Sequence, residues 1–137
     1  YGYGLGAEKL ICSFLSKASE GSDISLNEPV ADSVDLIHAA DVASAVVRIL
    51  QYAKWDTFNL ASGCSTSLYD LAQICISVSG KGAIRIERGT QELRSPISRF
   101  GLDCDLAGTK LGWSARVGLV DGIRSVFEQK VIVVGQT

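Results

Sequence analysis

Hydrophobic positions along the chain switch between two spacings, and the switches mark out its elements. Leu10, Ile11, Phe14, Leu15 and Ala18 form one helical stripe, which Gly21 ends in the C′ position. Asp23 to Asn27 alternates instead, with Ile24 and Leu26 on one face and Ser25 and Asn27 on the other, a strand closed by Pro29. Val34 to His38 also reads as a short strand, and Asp41 stands where a helix N-cap belongs. Val42, Ala45, Val46, Ile49 and Leu50 then make one apolar helix face running to Gln51. After a linker with Lys54, Trp55 and Asp56, Thr57 to Ala61 reads as a second apolar strand, followed by a turn cluster from Ser62 to Thr66. Ser67 with Asp70 is a shortened-acid capping box, opening a helix whose face is Leu68, Leu71, Ala72, Cys75 and Ile76 and which Gly80 ends.

Ala83 to Arg88 alternates as a strand with a charged outer face, and a polar loop follows from Gly89 to Arg99. A short helix from Asp103 to Leu111 ends at Gly112-Trp113, and Leu119, Ile123, Val126 and Phe127 mark a last helix. Lys130 to Thr137 reads as a strand-like apolar tail. The order is α-β-α-β-α-β-α-α, an α/β or α+β-like arrangement with short connections. We divide it into a domain over residues 1–130 and a tail over 131–137.

Composition narrows the function classes. Apolar residues at 47% and charged ones at 20% suit a packed globular chain. A net charge of -2 leaves no electrostatic footprint for nucleic acid, and no apolar run reaches the roughly 20 residues of a membrane helix. Cys12, Cys64, Cys75 and Cys104 form no C-x-x-C pair, two of them lie on apolar helix faces, and with one histidine they suggest no metal site. Reduced thiols in the cytoplasm are the expectation. The chain has no methionine and starts with Tyr1, so we expect a piece of a longer polypeptide or missing first residues.

Three patterns invite chemistry. Gly2-Tyr3-Gly4-Leu5-Gly6-Ala7 satisfies G-x-G-x-x-[GA], but that fingerprint needs a strand to deliver its glycines to a helix N-terminus. No strand can precede these glycines within the chain, so they read as loop glycines. His38 near Asp41 resembles a catalytic pair, yet no activated nucleophile accompanies it, and a structural role reads better. Arg85, Arg88, Arg94 and Arg99 gather in and after the strand at residue 83, and guanidinium forks suit an anionic ligand as well as a solvated face.

In this order the local patterns resemble the C-terminal part of the extended short-chain dehydrogenases, the NAD(P)-dependent epimerase/dehydratase family. Tyr3-Gly4 is similar to its Y-G pair. Val34 to His38 with Asp41-Val42-Ala43 resembles R-D-F-[VI]-[YH]-x-x-D-[VL]-A. Phe58 to Gly63, Ser67 and Asp70-Leu71-Ala72 resemble Y-N-[IL]-G-S-G…S…E-L-A. Asp103, Ala107 and Leu111-Gly112-Trp113 resemble D-x-S-K-A…L-G-W, and Leu119 with Gly122-Ile123 the closing S-L-x-x-G-[LI] helix.

The resemblance implies a nucleotide sugar held between a nucleotide-binding domain and this part. It places Lys9 and Leu10 near the base or phosphates, Ser25, Leu26 and Asn27 on a strand touching the base, and Arg94 on the nucleotide moiety. Glu28-Pro29-Val30 replaces the family's common G-D-G, and the loop from Arg94 to Asp103 is one residue shorter than usual. Val34 replaces a phosphate-binding arginine, removing a charge-assisted bond. The family's catalysis pairs a tyrosine with a lysine four residues on, whereas Tyr1, Tyr3, Tyr52 and Tyr69 precede Leu5, Ala7, Asp56 and Gln73 at that distance. We therefore expect a substrate-binding portion without catalytic residues or cofactor of its own, although the full-length family uses NAD or NADP. Expected partners are a nucleotide sugar and either a second copy, as a dimer, or the N-terminal nucleotide-binding domain, with neither nucleic acid nor membrane. The alternative is a stand-alone, non-catalytic binding or assembly module derived from that family.

Overall fold

The structure, a computed structural model, describes residues 1–2, 4, 6, 9–27, 32–87 and 101–134. Its elements run α1 (Leu10–Ser19), β1 (Asp23–Asn27), β2 (Ser33–Asp35), α2 (Ala39–Tyr52), β3 (Ser65–Ser67), α3 (Leu68–Ser79), β4 (Ala83–Glu87), α4 (Asp105–Leu111) and α5 (Leu119–Val134). β1 and β4 pair in parallel, with Ser25 opposite Arg85 and Asn27 opposite Glu87. β2 and β3 pair antiparallel, with Val34 opposite Thr66. The mixed α/β class read from the spacing holds.

Two apolar clusters organise these elements. The larger joins Phe14 and Leu15 of α1, Ile24 and Leu26 of β1, Leu71 and Cys75 of α3, and Ile123 and Val126 of α5. Leu15, Ile24, Leu71 and Ile123 are wholly buried, each stabilising the fold by roughly 1.5–3 kcal/mol. The smaller cluster joins Ala45 of α2 to Ala107, Leu111 and Trp113, with Ile49, Phe58 and Leu60 packed against it.

Local expectations hold where the signal is local. Ser67 caps α3 by accepting from the Asp70 N–H, and its hydroxyl donates to the Asp70 carboxylate at 2.7 Å. Gly21 and Gly80 take left-handed conformations after α1 and α3. Gly82 combines such a conformation, φ +94°, with a close approach: a Cβ there would lie 3.1 Å from the Ala18 Cα and 3.2 Å from the Ser22 carbonyl. Gly82→Ala therefore meets both a strained backbone and the α1–β1 connection. We expect a loss of about 1–3 kcal/mol in urea unfolding; an unchanged midpoint would contradict this.

Four expectations are corrected. The strand expected over Val34 to His38 covers only Ser33–Asp35, because its partner β3 is three residues long. Thr57 to Ala61 forms no strand, because among the described residues none lies alongside it to complete a ladder. Phe58, Leu60 and Ala61 instead bury side chains, mostly against α2 and α4. Lys130 to Val134 is helical, continuing α5, because backbone bonding extends the last helix through the apolar run; residues 135–137 lie outside the described residues.

Asp41 is not the cap of α2. His38 is, its Nδ1 accepting from the Ala40 N–H at 3.2 Å. Asp41 sits in the first turn, where the helix dipole favours a carboxylate, and turns its oxygens elsewhere. Oδ1 accepts from the Arg116 N–H and Oδ2 from the Val117 N–H, each at 3.0 Å. The Ser44 hydroxyl donates to the Asp41 carbonyl and accepts from the Trp113 indole N–H at 2.8 Å. Residues 113–117 are thereby fastened to α2. None of the four cysteines is in a disulfide, and Cys12 and Cys75 are buried.

Candidate functional site

α1 and β1 are joined by the short connection at residues 20–22, so the two run back to back. Ten helical residues span roughly 15 Å, close to the length of the five-residue strand, so the start of α1 and the end of β1 share one end of the domain. Lys9 and Leu10 stand there, both exposed, with Lys9 in extended backbone as the N-cap of α1. Asn27 ends β1 at the same place. Because β4 is parallel to β1, its last residue, Glu87, arrives beside Asn27.

The strand separates the three residues expected to act together. Ser25 and Asn27 are exposed on one face, in register with Arg85 and Glu87. Leu26 is 4% exposed and belongs to the larger core. Alternation imposes this split, since neighbouring side chains on a strand point to opposite faces. The free surface is therefore a polar strip of Ser25, Asn27, Arg85 and Glu87, with Lys9 and Leu10 at its end. Arg88, Arg94 and Arg99 lie outside the described residues. Val34 is half-buried in β2, an uncharged side chain at the position opposite Thr66.

The invited chemistry is absent where the residues are described. The His38 ring stands edge-on to Tyr1, with centroids 5.1 Å apart, and its Nδ1 is committed to the helix cap. Asp41 is committed to residues 116 and 117, so the two do not form a catalytic pair. The Tyr1 phenol donates to the Leu119 carbonyl, and burial, then the Asp41 and Asp121 carboxylates, push it up to about 12. Such a phenol stays protonated near neutral pH and is a poor base. Gly2 is buried, and a Cβ there would lie 2.9 Å from the Ala39 Cβ, so this glycine serves packing. α1 begins at Leu10, and among the described residues no strand precedes it. Among the described residues no cluster of metal-ligating side chains occurs.

Spacing alone did not disclose the carboxylate clamps. The Asp35 carboxylate accepts from the Ser62 N–H at 2.8 Å and the Gly63 N–H at 2.9 Å, tying β2 to the turn before β3. The family pattern marks this aspartate and Asp41 without saying what either bonds.

No family model matches the sequence. The chain is 29% identical over 89 residues to the dTDP-4-dehydro-6-deoxy-D-allose reductase of Streptomyces bikiniensis, a match covering 64% of this chain and 27% of that protein. Its fold is similar to UDP-glucose 4-epimerase of Thermotoga maritima, with TM-score 0.80 and 20% identity over 98% of this chain and 44% of that one. It is similar as well to dTDP-glucose 4,6-dehydratase of Bacillus anthracis, with TM-score 0.81 and 18% identity over 96% of this chain and 42% of that one. The chain thus spans less than half the length of each of these three proteins. Sequence match, shared fold and the ordered motifs point the same way: the chain is similar in fold, and weakly in sequence, to part of the length of proteins of the NAD(P)-dependent epimerase/dehydratase family.

Proposed function

We propose that this chain is the nucleotide-sugar-binding, C-terminal portion of an epimerase, dehydratase or reductase of that family, without turnover of its own. The observation that supports this is the gathering of Lys9, Leu10 and Asn27 at one end of the domain. Glu87, the last described residue before Arg94, stands at that same end. An ammonium and an amide at one end, with the Arg85 guanidinium on the adjoining strip, suit a nucleoside diphosphate, and the edge of β1 away from β4, unpaired among the described residues, offers backbone groups to a base. Four cysteines outside any disulfide support a reducing, cytoplasmic setting. Among the described residues no helix is long and apolar enough to cross a membrane.

The test is thermal unfolding of the chain with a UDP- or dTDP-linked hexose. At about 100 times the dissociation constant a ligand adds about 2.7 kcal/mol, a rise of several degrees in Tm. We expect that rise with one of the two nucleotides, and its reduction in Asn27→Ala and Arg94→Ala. No rise at millimolar sugar nucleotide would remove the binding role.

One observation favours an assembly role as well. Val46, Val47 and Leu50 project from α2 at 47%, 54% and 75% exposure, and Trp55 is fully exposed beside them. Thr57 to Ala61 adds an extended segment without a ladder partner among the described residues. Such a face suits cover by a second copy, as a dimer, or by the nucleotide-binding portion of a longer chain. A monomeric mass in light scattering at micromolar concentration would exclude the dimer.

A further inference from the structure

α2 and α4 pack side by side, and where both end they leave an open surface cavity of about 350 Å³ lined by Arg48, Gln51, Tyr52, Lys54, Lys110 and Leu111, most of them exposed. Three of these side chains are cationic and none is acidic. Leu111 is buried in the cluster that holds α2 to α4, so the cavity has a fixed floor. Arg48 and Lys54 come from the end of α2 and Lys110 from α4, so the meeting of the two groups is a product of the fold.

Surface cations on helices ordinarily face carboxylates three or four residues away. Here those positions hold Ser44, Ala45, Gln51 and Tyr52 around Arg48, and Leu106 and Ala107 before Lys110. Among the described residues Arg48 and Lys110 make no ion pair. Lys54 leans over the Tyr52 ring, its Nζ 5.7 Å from the centroid. The turn that brings it back runs through Ala53, whose φ of 53° is a left-handed conformation in a residue that is not glycine. Offsetting the helix dipoles does not account for this charge. Two helix C-termini carry about half a negative charge each, so three full positive charges leave a surplus of roughly two.

We propose that this cavity is a second ligand site, for a compact multivalent phosphate group such as a diphosphate. Arg48 supplies a planar fork, Lys54 and Lys110 supply point charges, and the Gln51 amide and Tyr52 hydroxyl supply neutral donors. The volume suits a small polyanion, and the site lies on elements other than those that place Lys9 and Asn27. It does not depend on the nucleotide-sugar reading.

The test titrates the full chain with inorganic pyrophosphate and follows backbone amide shifts by NMR. Saturable shifts are expected at residues 48–54 and 110–112. Arg48→Ala and Lys110→Ala should each weaken binding about tenfold or more, the worth of one charge-assisted bond. Lys110→Glu should abolish it, while Lys17→Ala on α1 should leave it unchanged. These side chains are exposed, so the variants keep the fold, which the unperturbed remainder of the spectrum verifies. UDP shifting the same amides as pyrophosphate would assign the phosphate chain of a nucleotide as a source, whereas a response to pyrophosphate alone would assign the free anion. Shifts that never saturate, that citrate reproduces equally, or that survive Lys110→Glu would overturn the site.

Discussion

Asp41→Ala should unfold at a markedly lower temperature than the parent chain. Asp41 is 5% exposed, and each carboxylate oxygen accepts one backbone N–H from residues 116 and 117. Alanine removes both acceptors and leaves two donors facing a gap, in a segment whose amides have no helix or sheet to turn to. With bonds to a charged acceptor worth about 1.5–3 kcal/mol each, and partial access of water to the released amides, we expect a loss of about 2–4 kcal/mol. That is a large share of the 5–15 kcal/mol typical of a domain, and corresponds to roughly 10 °C in Tm. Asp41→Asn should lose less, since one amide oxygen still accepts while the NH2 opposes the second N–H. Asp121→Ala provides the contrast: its pair with Arg124 joins side chains 77% and 54% exposed, worth well under 1 kcal/mol. Circular dichroism melts of the three variants decide the matter, and Asp41→Ala melting with Asp121→Ala would show that the clamp contributes nothing.

Asp41 also shows where reading the chain stops. A carboxylate beside the start of an apolar helical stripe looks like a cap because capping preferences are local. Its partners lie 75 and 76 residues away, a distance no local preference senses. Ser67 and Asp70 were legible for the opposite reason, since both halves of that box sit in one turn. β1 was legible to the residue, because burial alternates along it as hydrophobicity does. Thr57 to Ala61 carries the composition of a strand, but a strand exists only with a neighbour to bond. Val131 to Val134 has a strand's composition too, and helix extension overrides it. At the candidate site the exposed pair Ser25 and Asn27 followed from alternation, which also moves Leu26 to the core. Arg48, Lys54 and Lys110 carry no common signal in the sequence, because only the packing of α2 on α4 brings them to one cavity.

Raising the pH should destabilise the chain through one thiol. Cys75 has no exposed surface, and burial, followed by the neighbouring Cys12, pushes it from 9.0 up to about 12. Between those values the unfolded chain has lost this proton while the folded chain keeps it, so rising pH favours unfolding. Below pH 9 both states hold the proton and the contribution is flat. At 1.36 kcal/mol per unit the loss approaches about 4 kcal/mol by pH 12. The Tyr1 phenol, also held up to about 12, adds a slope of the same sign, so the measurement must be differential. Cys75→Ala removes the thiol and keeps Tyr1. It should cost about 1 kcal/mol at neutral pH, the scale of one lost methylene-sized group, and then lose stability more slowly than the parent above pH 9. The two urea-derived stability curves should therefore converge and cross before pH 12. Curves that stay parallel would mean that the folded chain ionises Cys75 as readily as the unfolded one, by opening the α1–α3 contact that buries it.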